Sequence, residues 1–437
     1  MQTCRFDTLG CKVNQYDTQV MRQALGSLGV KEAQPGEVPD LIVLNTCTVT
    51  ETSDSKSRYL IRRLARENPQ ARIVVTGCYV EADRAAVASL PQVSACLGVK
   101  EEGQLASLVE RWREEDGTTG SACTDMAHDL KMSPHSIQEF SGRTRAYLKV
   151  MDGCNYRCSF CKVRIVRGNA RSRPFKELTA EAEALVGSGH REIVLVGIQL
   201  GYYGRDLVPA RDLADLVDAL EEVPGLDRIR LSSIEPKDIT ERLIQRLARR
   251  SRLCAHVHMP WQSGSDRVLT RMRRSYRRQD LEHITRSLRS QVPDIGIATD
   301  IMVGFPGEGE DEFLETLGLV EELSPSRVHI FPYSDRRGTD AASFSDKVEP
   351  AEKKRLVERL KEAAARGERA FHHSLLGQSV RVLMEGACGG EGWQEGFTDN
   401  YVRVRVSSGI PLENRLAQVA VTHAAEGHIF GNLLSFD

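Results

Sequence analysis

Short apolar runs rich in β-branched residues alternate with helix-patterned stretches from the start of the 437-residue chain to about residue 334. In the first part, CRFDTLG, DLIVLNT, ARIVVTG and VSACLGV are separated by TQVMRQALGSLG, KSRYLIRRLARE and a shorter helical piece. Such runs pair in parallel, because parallel neighbours need a crossover between them and a helix is the usual one. Residues 1–111 are therefore expected to form an α/β domain on a parallel sheet, and the polar residues 112–142 read as a linker. From 143 to 376 the alternation resumes with six strand candidates: YLKVMDG, EIVLVGI, RIRLSSI, AHVHMP, IATDIMVGF and RVHIFPYS. Repeated βα units with right-handed crossovers close toward a barrel, and six of them predict a partial (β/α)6 barrel. A charged helix, PAEKKRLVERLKEAAARGERAF, then leads into residues 377–437, where SVRVLME, NYVRVRV and LAQVAVTHA alternate in the manner of a small β-barrel.

No apolar run reaches the roughly 20 residues needed to span a bilayer, and MQTCRFDTLGCKVNQYD lacks the layout of a signal peptide. The expectation is a soluble, cytoplasmic, monomeric protein with no membrane contact. Its eleven cysteines then point to metal binding or chemistry rather than disulfides. Cys4, Cys96, Cys123, Cys254 and Cys388 are scattered and read as small buried apolar residues. A net charge of −2 restricts any nucleic-acid footprint to a local patch.

Six cysteines remain. Cys154, Cys158 and Cys161 lie in GCNYRCSFCKV, spaced C-x3-C-x2-C, just after the first barrel strand, where barrel enzymes place reactive groups. In an iron–sulfur cube each thiolate serves one of four irons, so three leave one iron open for another ligand. A three-sulfur zinc site completed by histidine, or unliganded buried cysteines, are the alternatives, although no second C-x2-C pair follows. The spacing, with Phe160 before the last cysteine, resembles the signature of radical S-adenosylmethionine (SAM) enzymes. That resemblance implies a 4Fe–4S cluster whose open iron chelates SAM, and a 5′-deoxyadenosyl radical released on reduction.

Cys11, Cys47 and Cys78, in GCKVNQYD, LNTCTVT and VTGCYVE, each follow one of the first three strands. Ligand sites of open parallel sheets gather beyond the carboxyl ends of their strands, so the three are expected to converge. Their surroundings resemble the flavodoxin-like N-terminal domain of radical SAM methylthiotransferases, which holds an auxiliary 4Fe–4S cluster through these cysteines. SSIEP, HMPWQSGSDRVLTRM, DIMVGFPGE and FPYSDRRGT resemble barrel landmarks of that family, and the tail around DNYVRVRV resembles a TRAM domain, a small β-barrel associated with RNA. GCKVNQYDTQ is similar to the subgroup acting on N6-threonylcarbamoyladenosine beside the anticodon of tRNA, converting it to its 2-methylthio form. Subgroups acting on isopentenyladenosine in tRNA (GCQMN) or on a ribosomal-protein aspartate (GCPKN) are the alternatives. A non-catalytic iron–sulfur or zinc RNA-binding protein is the alternative of another class. The resemblance also implies a low-potential electron donor such as flavodoxin or ferredoxin, and a sulfur source.

Around the clusters, Gly197 ends the second barrel strand, where glycine permits close approach to SAM. Ser232, Ser233, Gln262 and Asp300 end or follow later strands and, with Phe160, are candidate SAM contacts. His256 and His258 share a strand face but read as packed residues rather than as metal ligands. The family's proline after the third cysteine is replaced within Lys162-Val163-Arg164, which frees a backbone N–H. Arg267, Arg271, Arg273, Arg274, Arg277, Arg278, Arg286 and Arg289, with Tyr276 placed to stack on a base, form a candidate tRNA track. Arg58, Arg62, Arg63 and Arg66 form a second. The tail has four Arg, no Lys and seven acids, hence 4 − 7 = −3, and is expected to pack or make local contacts rather than bind RNA strongly.

Overall fold

The computed structural model describes residues 1–114, 136–390 and 392–437; Cys123 and most of the expected linker lie outside them. Five parallel strands form the N-terminal sheet, in the spatial order Lys31–Glu32, Thr3–Thr8, Leu41–Thr46, Arg72–Gly77, Val93–Leu97. Leu41–Thr46 is buried along its whole length, as a central parallel strand covered on both faces must be. The helix Glu51–Glu67 starts close behind it. Thr50 accepts from the backbone N–H of Ser53, and Glu51 and Asp54 occupy the first turn, where the helix dipole favours negative charge. That early start holds Cys47 at the strand end.

The central segment holds all six expected strands: Arg145–Lys149, Glu192–Val196, Arg228–Leu231, His256–His258, Gly296–Val303 and Arg327–Pro332. They pair in parallel as two groups of three, joined by the bridges Ile229–Leu253 and Ser233–His258 into one open barrel. Val13, Tyr16 and Val20, from the helix Lys12–Ser27, belong to the barrel's own apolar core. Buried polar bonds reinforce this docking: Tyr16 donates to Glu181 at 2.8 Å and Lys149 pairs with Asp17 at 2.6 Å.

Five strands, Ser379–Ala387, Trp393–Thr398, Arg403–Ser407, Leu416–Ala425 and His428–Phe436, close the C-terminal β-barrel. Its turn at residues 398–401 plugs the amino-terminal end of the central barrel. Arg228 and Arg230 donate to the carbonyls of Phe397, Thr398 and Asp399 at 2.8–3.0 Å. Tyr401, at φ +67°, places its ring 4.8 Å from that of His256 and over the guanidinium of Arg230. At Gly296 a Cβ would lie 2.1 Å from the Asn400 carbonyl oxygen, so only glycine admits the plug. The acidity of the tail has a partner here: Glu385 pairs with Arg145, Asp399 with Arg228 and Asp437 with Arg191.

Candidate active site

The opposite, carboxyl end of the central barrel faces the carboxyl edge of the N-terminal sheet. Cys11 caps the helix Lys12–Ser27, Cys47 follows Leu41–Thr46 and Cys78 opens the helix Cys78–Ala82. Since their strands are neighbours in the sheet, the three cysteines share one edge. Asn14 ties the strand ends together by donating to the carbonyls of Leu9 and Thr46 and to the Asn45 side chain.

Cys154, Cys158 and Cys161 lie on the loop after Arg145–Lys149. Cys154 N–H donates to the Gly168 carbonyl at 3.0 Å. Ser159 hangs the loop from Arg271 and Met272. Gln199 accepts from the Asn155 N–H at 2.9 Å.

Three of the six cysteines directly follow a glycine with positive φ: Gly10 (+108°), Gly77 (+95°) and Gly153 (+73°). A Cβ would lie 2.9 Å from Cys47 Cβ at Gly10, 2.3 Å from Asn45 Oδ1 at Gly77 and 2.0 Å from the Asn169 carbonyl oxygen at Gly153. The chain therefore turns sharply to present each sulfur, in a conformation glycine adopts at little cost. The repeated Gly-Cys pair is the sequence signal that marks these turns.

Most of the sulfurs accept hydrogen bonds. Val49 N–H reaches Cys47 Sγ at 3.5 Å and Val163 N–H reaches Cys161 Sγ at 3.4 Å. Arg167 Nε donates to Cys78 Sγ at 3.3 Å and Arg274 Nη1 to Cys158 Sγ at 3.1 Å. Burial pushes the Cys78 and Cys161 thiols up to about 12 and Cys154 to about 11. Left alone they stay protonated at neutral pH, so holding a cluster means releasing those protons.

Among the described residues the only set of ligating side chains drawn within 4.8 Å of one another is His258, Asp300 and His329. Each cysteine triad is thus more widely spaced than a zinc ion, with sulfur at about 2.3 Å and neighbouring sulfurs about 3.8 Å apart, would hold it. Wide spacing, N–H donors aimed at sulfur and a missing fourth protein ligand fit a cube at each triad.

Cys78 and Cys161, one from each triad, line the same cavity of about 230 Å3. Phe160, Gln262 and Asp300 also line it. Gln262 has φ +64° and bridges backbone to Asp300 and Met302. Gly197, Ser232 and Ser233 are not among its lining residues. The space beside Gly197 is filled by Met151, whose Cγ would sit 2.6 Å from a Cβ there. Ser232 Oγ is buried without a hydrogen-bond partner. Ser233 and Asp300 are both engaged by His258, through Nδ1 at 2.5 Å and Nε2 at 3.1 Å. Thus His258 joins Asp300 and His329 rather than His256, whose ring is buried against Tyr401.

Two expectations for the arginine track need correction. Tyr276 is buried, with its hydroxyl donating to the Pro260 carbonyl at 2.7 Å, so no base can stack on it. Arg274 is also buried, though less completely, and holds Cys158 and Glu235. Around them Arg267, Arg271, Arg273, Arg278 and Arg286 pair with acids of neighbouring elements, which neutralises most of the run.

Comparison with known proteins agrees with this geometry. Residues 3–98 match a family described as uncharacterized protein family UPF0004, and residues 148–320 match the radical SAM superfamily. Threonylcarbamoyladenosine tRNA methylthiotransferase MtaB of Bacillus subtilis is 36% identical over 97% of this chain and 94% of its own. The chain belongs to the radical SAM methylthiotransferase family. MtaB of Thermotoga maritima is 37% identical over 88% of this chain and 87% of its own. A tRNA-2-methylthio-N(6)-dimethylallyladenosine synthase of Symbiobacterium thermophilum is 35% identical over 98% of this chain and 93% of its own. Among solved structures, the radical SAM methyltransferase TsrM of Kitasatospora setae shares the fold. Its TM-score is 0.57 at 15% identity, covering 78% of this chain and 77% of that one. This methylthiotransferase is accordingly an enzyme that works with SAM and an iron–sulfur cluster. Among the described residues no helix is long and apolar enough to cross a membrane.

Proposed function

We propose that this methylthiotransferase replaces the hydrogen on C2 of N6-threonylcarbamoyladenosine, beside the anticodon of tRNA, with a methylthio group. One observation carries the reading: Cys78 and Cys161 open into a single cavity with Gln262 and Asp300. An unactivated C–H bond has no acidic proton for a base to remove, so ordinary acid–base residues cannot perform this substitution. When bound, two clusters and SAM supply one-electron reduction, a carbon radical and methylated sulfur. Cys154, Cys158 and Cys161 would hold the cluster that binds SAM, and Cys11, Cys47 and Cys78 the auxiliary one. Phe160, Gln262 and Asp300 shape the cavity, and Arg336, which also lines it, ties the barrel to the N-terminal domain across it. Arg336 reaches from the barrel to Asp54 at 2.8 Å and to the backbone oxygen of Thr48 at 2.5 Å. Residues 1–111 then act as the sulfur-donating domain, 143–376 as the radical-generating domain and 377–437 as the floor of the barrel.

The adenosine is chosen on the relatives named for it and on Lys12-Val13-Asn14 after Cys11. The dimethylallyladenosine relatives make that nucleoside the second reading. Electrons come from a low-potential donor such as flavodoxin or ferredoxin, and a separate sulfur source restores the auxiliary cluster. Mass spectrometry of nucleosides in total tRNA, with and without the gene, tests the substrate. Loss of 2-methylthio-N6-threonylcarbamoyladenosine with accumulation of its precursor is the expected result. Loss of a different methylthio-adenosine moves the enzyme to the second reading, and unchanged tRNA overturns both.

A further inference from the structure

Each cysteine triad is met by one buried arginine, yet the two arginines are held differently. Arg274 stays within the barrel: besides Cys158 it bonds Glu235 and the Tyr276 hydroxyl. Arg167 crosses between domains. It lies on the short helix Val163–Arg167, which starts two residues after Cys161, and its side chain is 1% exposed. Its Nη1 meets both oxygens of Asp152, at 3.1 and 2.9 Å. Its Nη2 meets Asn14 Oδ1 at 2.7 Å and Asp17 at 3.2 Å, and its Nε meets Cys78 Sγ at 3.3 Å. Asn14 Oδ1 in turn faces Cys11 Sγ at 3.6 Å.

A buried guanidinium loses its hydration and persists only where carboxylates and acceptors replace water. Here the acceptors belong to both cysteine systems. Asp152 precedes the Cys154 loop, whereas Asn14 and Asp17 lie on the helix capped by Cys11, and Cys78 is itself one of the sheet-edge triad. The whole donor fork is used, which a lysine could not reproduce.

We infer that Arg167 is a positioning residue. It sets the reduction potential of the cluster on Cys11, Cys47 and Cys78 through its hydrogen bond to Cys78, held in place by Asp152, Asn14 and Asp17. The inference rests on the two-cluster reading above. A donor on a cysteine sulfur stabilises the more negative, reduced form of a cluster, so its removal moves the potential negative. Arg274 has the equivalent effect on the other cluster, and the two arginines act separately.

The test uses the full chain, reconstituted anaerobically, as wild type, Arg167→Gln, Arg167→Lys and Arg274→Gln. Iron content, EPR-monitored redox titration and the ratio of 5′-deoxyadenosine to methylthiolated product are measured. Wild type is expected to carry about eight irons per chain, four per cube. In Arg167→Gln the auxiliary potential moves negative and the other stays. 5′-Deoxyadenosine per product then rises by about 10-fold, the lower end for loss of such an outer partner. Arg274→Gln moves the other potential alone. Arg167→Lys keeps the charge but loses the fork and shifts the auxiliary potential partway, which carries the test if the Gln variant does not fold. About eight irons with an unmoved auxiliary potential in the Arg167 variants overturns the proposal, as do both potentials moving together. Wild type with about four irons overturns the two-cluster reading itself, and is told apart by the iron count.

Discussion

Cys154, Cys158 and Cys161 come from one loop after a single strand, whereas Cys11, Cys47 and Cys78 come from three strand ends that only the folded sheet brings together. The loop triad is local, fixed by backbone bonds from Cys154 to Gly168 and from Ser159 to Met272. The sheet-edge triad is global, because its geometry depends on the register of three parallel strands and on Asn14 binding across them. Damage to the fold should therefore reach the second triad first, and damage to chemistry should separate them cleanly.

The largest expected effect is chemical. Cys158→Ala and Cys78→Ala should each abolish methylthiolation and lower iron to about four per chain. Reductive cleavage of SAM to 5′-deoxyadenosine, followed by chromatography, should vanish only in Cys158→Ala. Loss of cleavage in both variants would show that the triads do not work independently.

Next come the glycines. Gly77→Ala and Gly153→Ala both force a side chain into positive φ against neighbouring atoms, at a backbone cost of about 1–3 kcal/mol before any clash. Gly77→Ala distorts the sheet edge and should lower the melting temperature by several degrees. Gly153→Ala strains one loop and should cost iron with a smaller thermal shift. Gly36, at φ +88° but in open space, is the control, and Gly36→Ala should leave iron content unchanged.

The pH response concerns the plugged end of the barrel. Burial alone would raise the carboxyl of Glu192, but Arg228, Arg230 and Arg145 outweigh it and leave it at about 2. A carboxylate depressed in the folded state stabilises above its unfolded value near 4.5 and loses that contribution as pH falls toward 2. Tryptophan fluorescence and circular dichroism should show acid unfolding in that window. Glu192→Gln should flatten the pH dependence while lowering stability at neutral pH, since it removes the carboxylate that the buried guanidiniums of Arg228 and Arg230 share.

The smallest effect concerns tRNA. Arg62 and Arg66 are exposed beside Tyr59 on the helix Glu51–Glu67 and border one groove. Replacing both by glutamine should reduce the slope of log affinity against log salt by about 2. The same change at Arg267 and Arg286, already paired to Glu312 and Glu322, should alter it less.

The strand-and-helix alternation made the three-part architecture legible, because buried parallel strands are short apolar runs joined by helical crossovers, and both show in sequence. The placing of Cys154, Cys158 and Cys161 on the loop after the first barrel strand was legible from the apolar run before them, and that of Cys11, Cys47 and Cys78 at one sheet edge from their positions after successive strands. What stayed hidden depended on contacts distant in sequence. The arginine run around Arg274 and Tyr276 reads as a tRNA track, since the acids that pair with it lie on other elements and the contacts of buried Arg274 with Glu235 and Cys158 are distant in sequence. Ser233 and Asp300 read as free ligands because nothing local reveals that His258 engages both. The acidic tail likewise gained its meaning only when Arg145, Arg191 and Arg228 were found beneath it.

The central claim is that both triads hold clusters facing one cavity, and EPR of the anaerobically reconstituted, fully reduced protein tests it most directly. Two clusters in that arrangement predict a pair of spin signals broadened by mutual magnetic interaction, each lost separately in Cys78→Ala and Cys158→Ala. A single non-interacting signal, unchanged by Cys78→Ala, would contradict it.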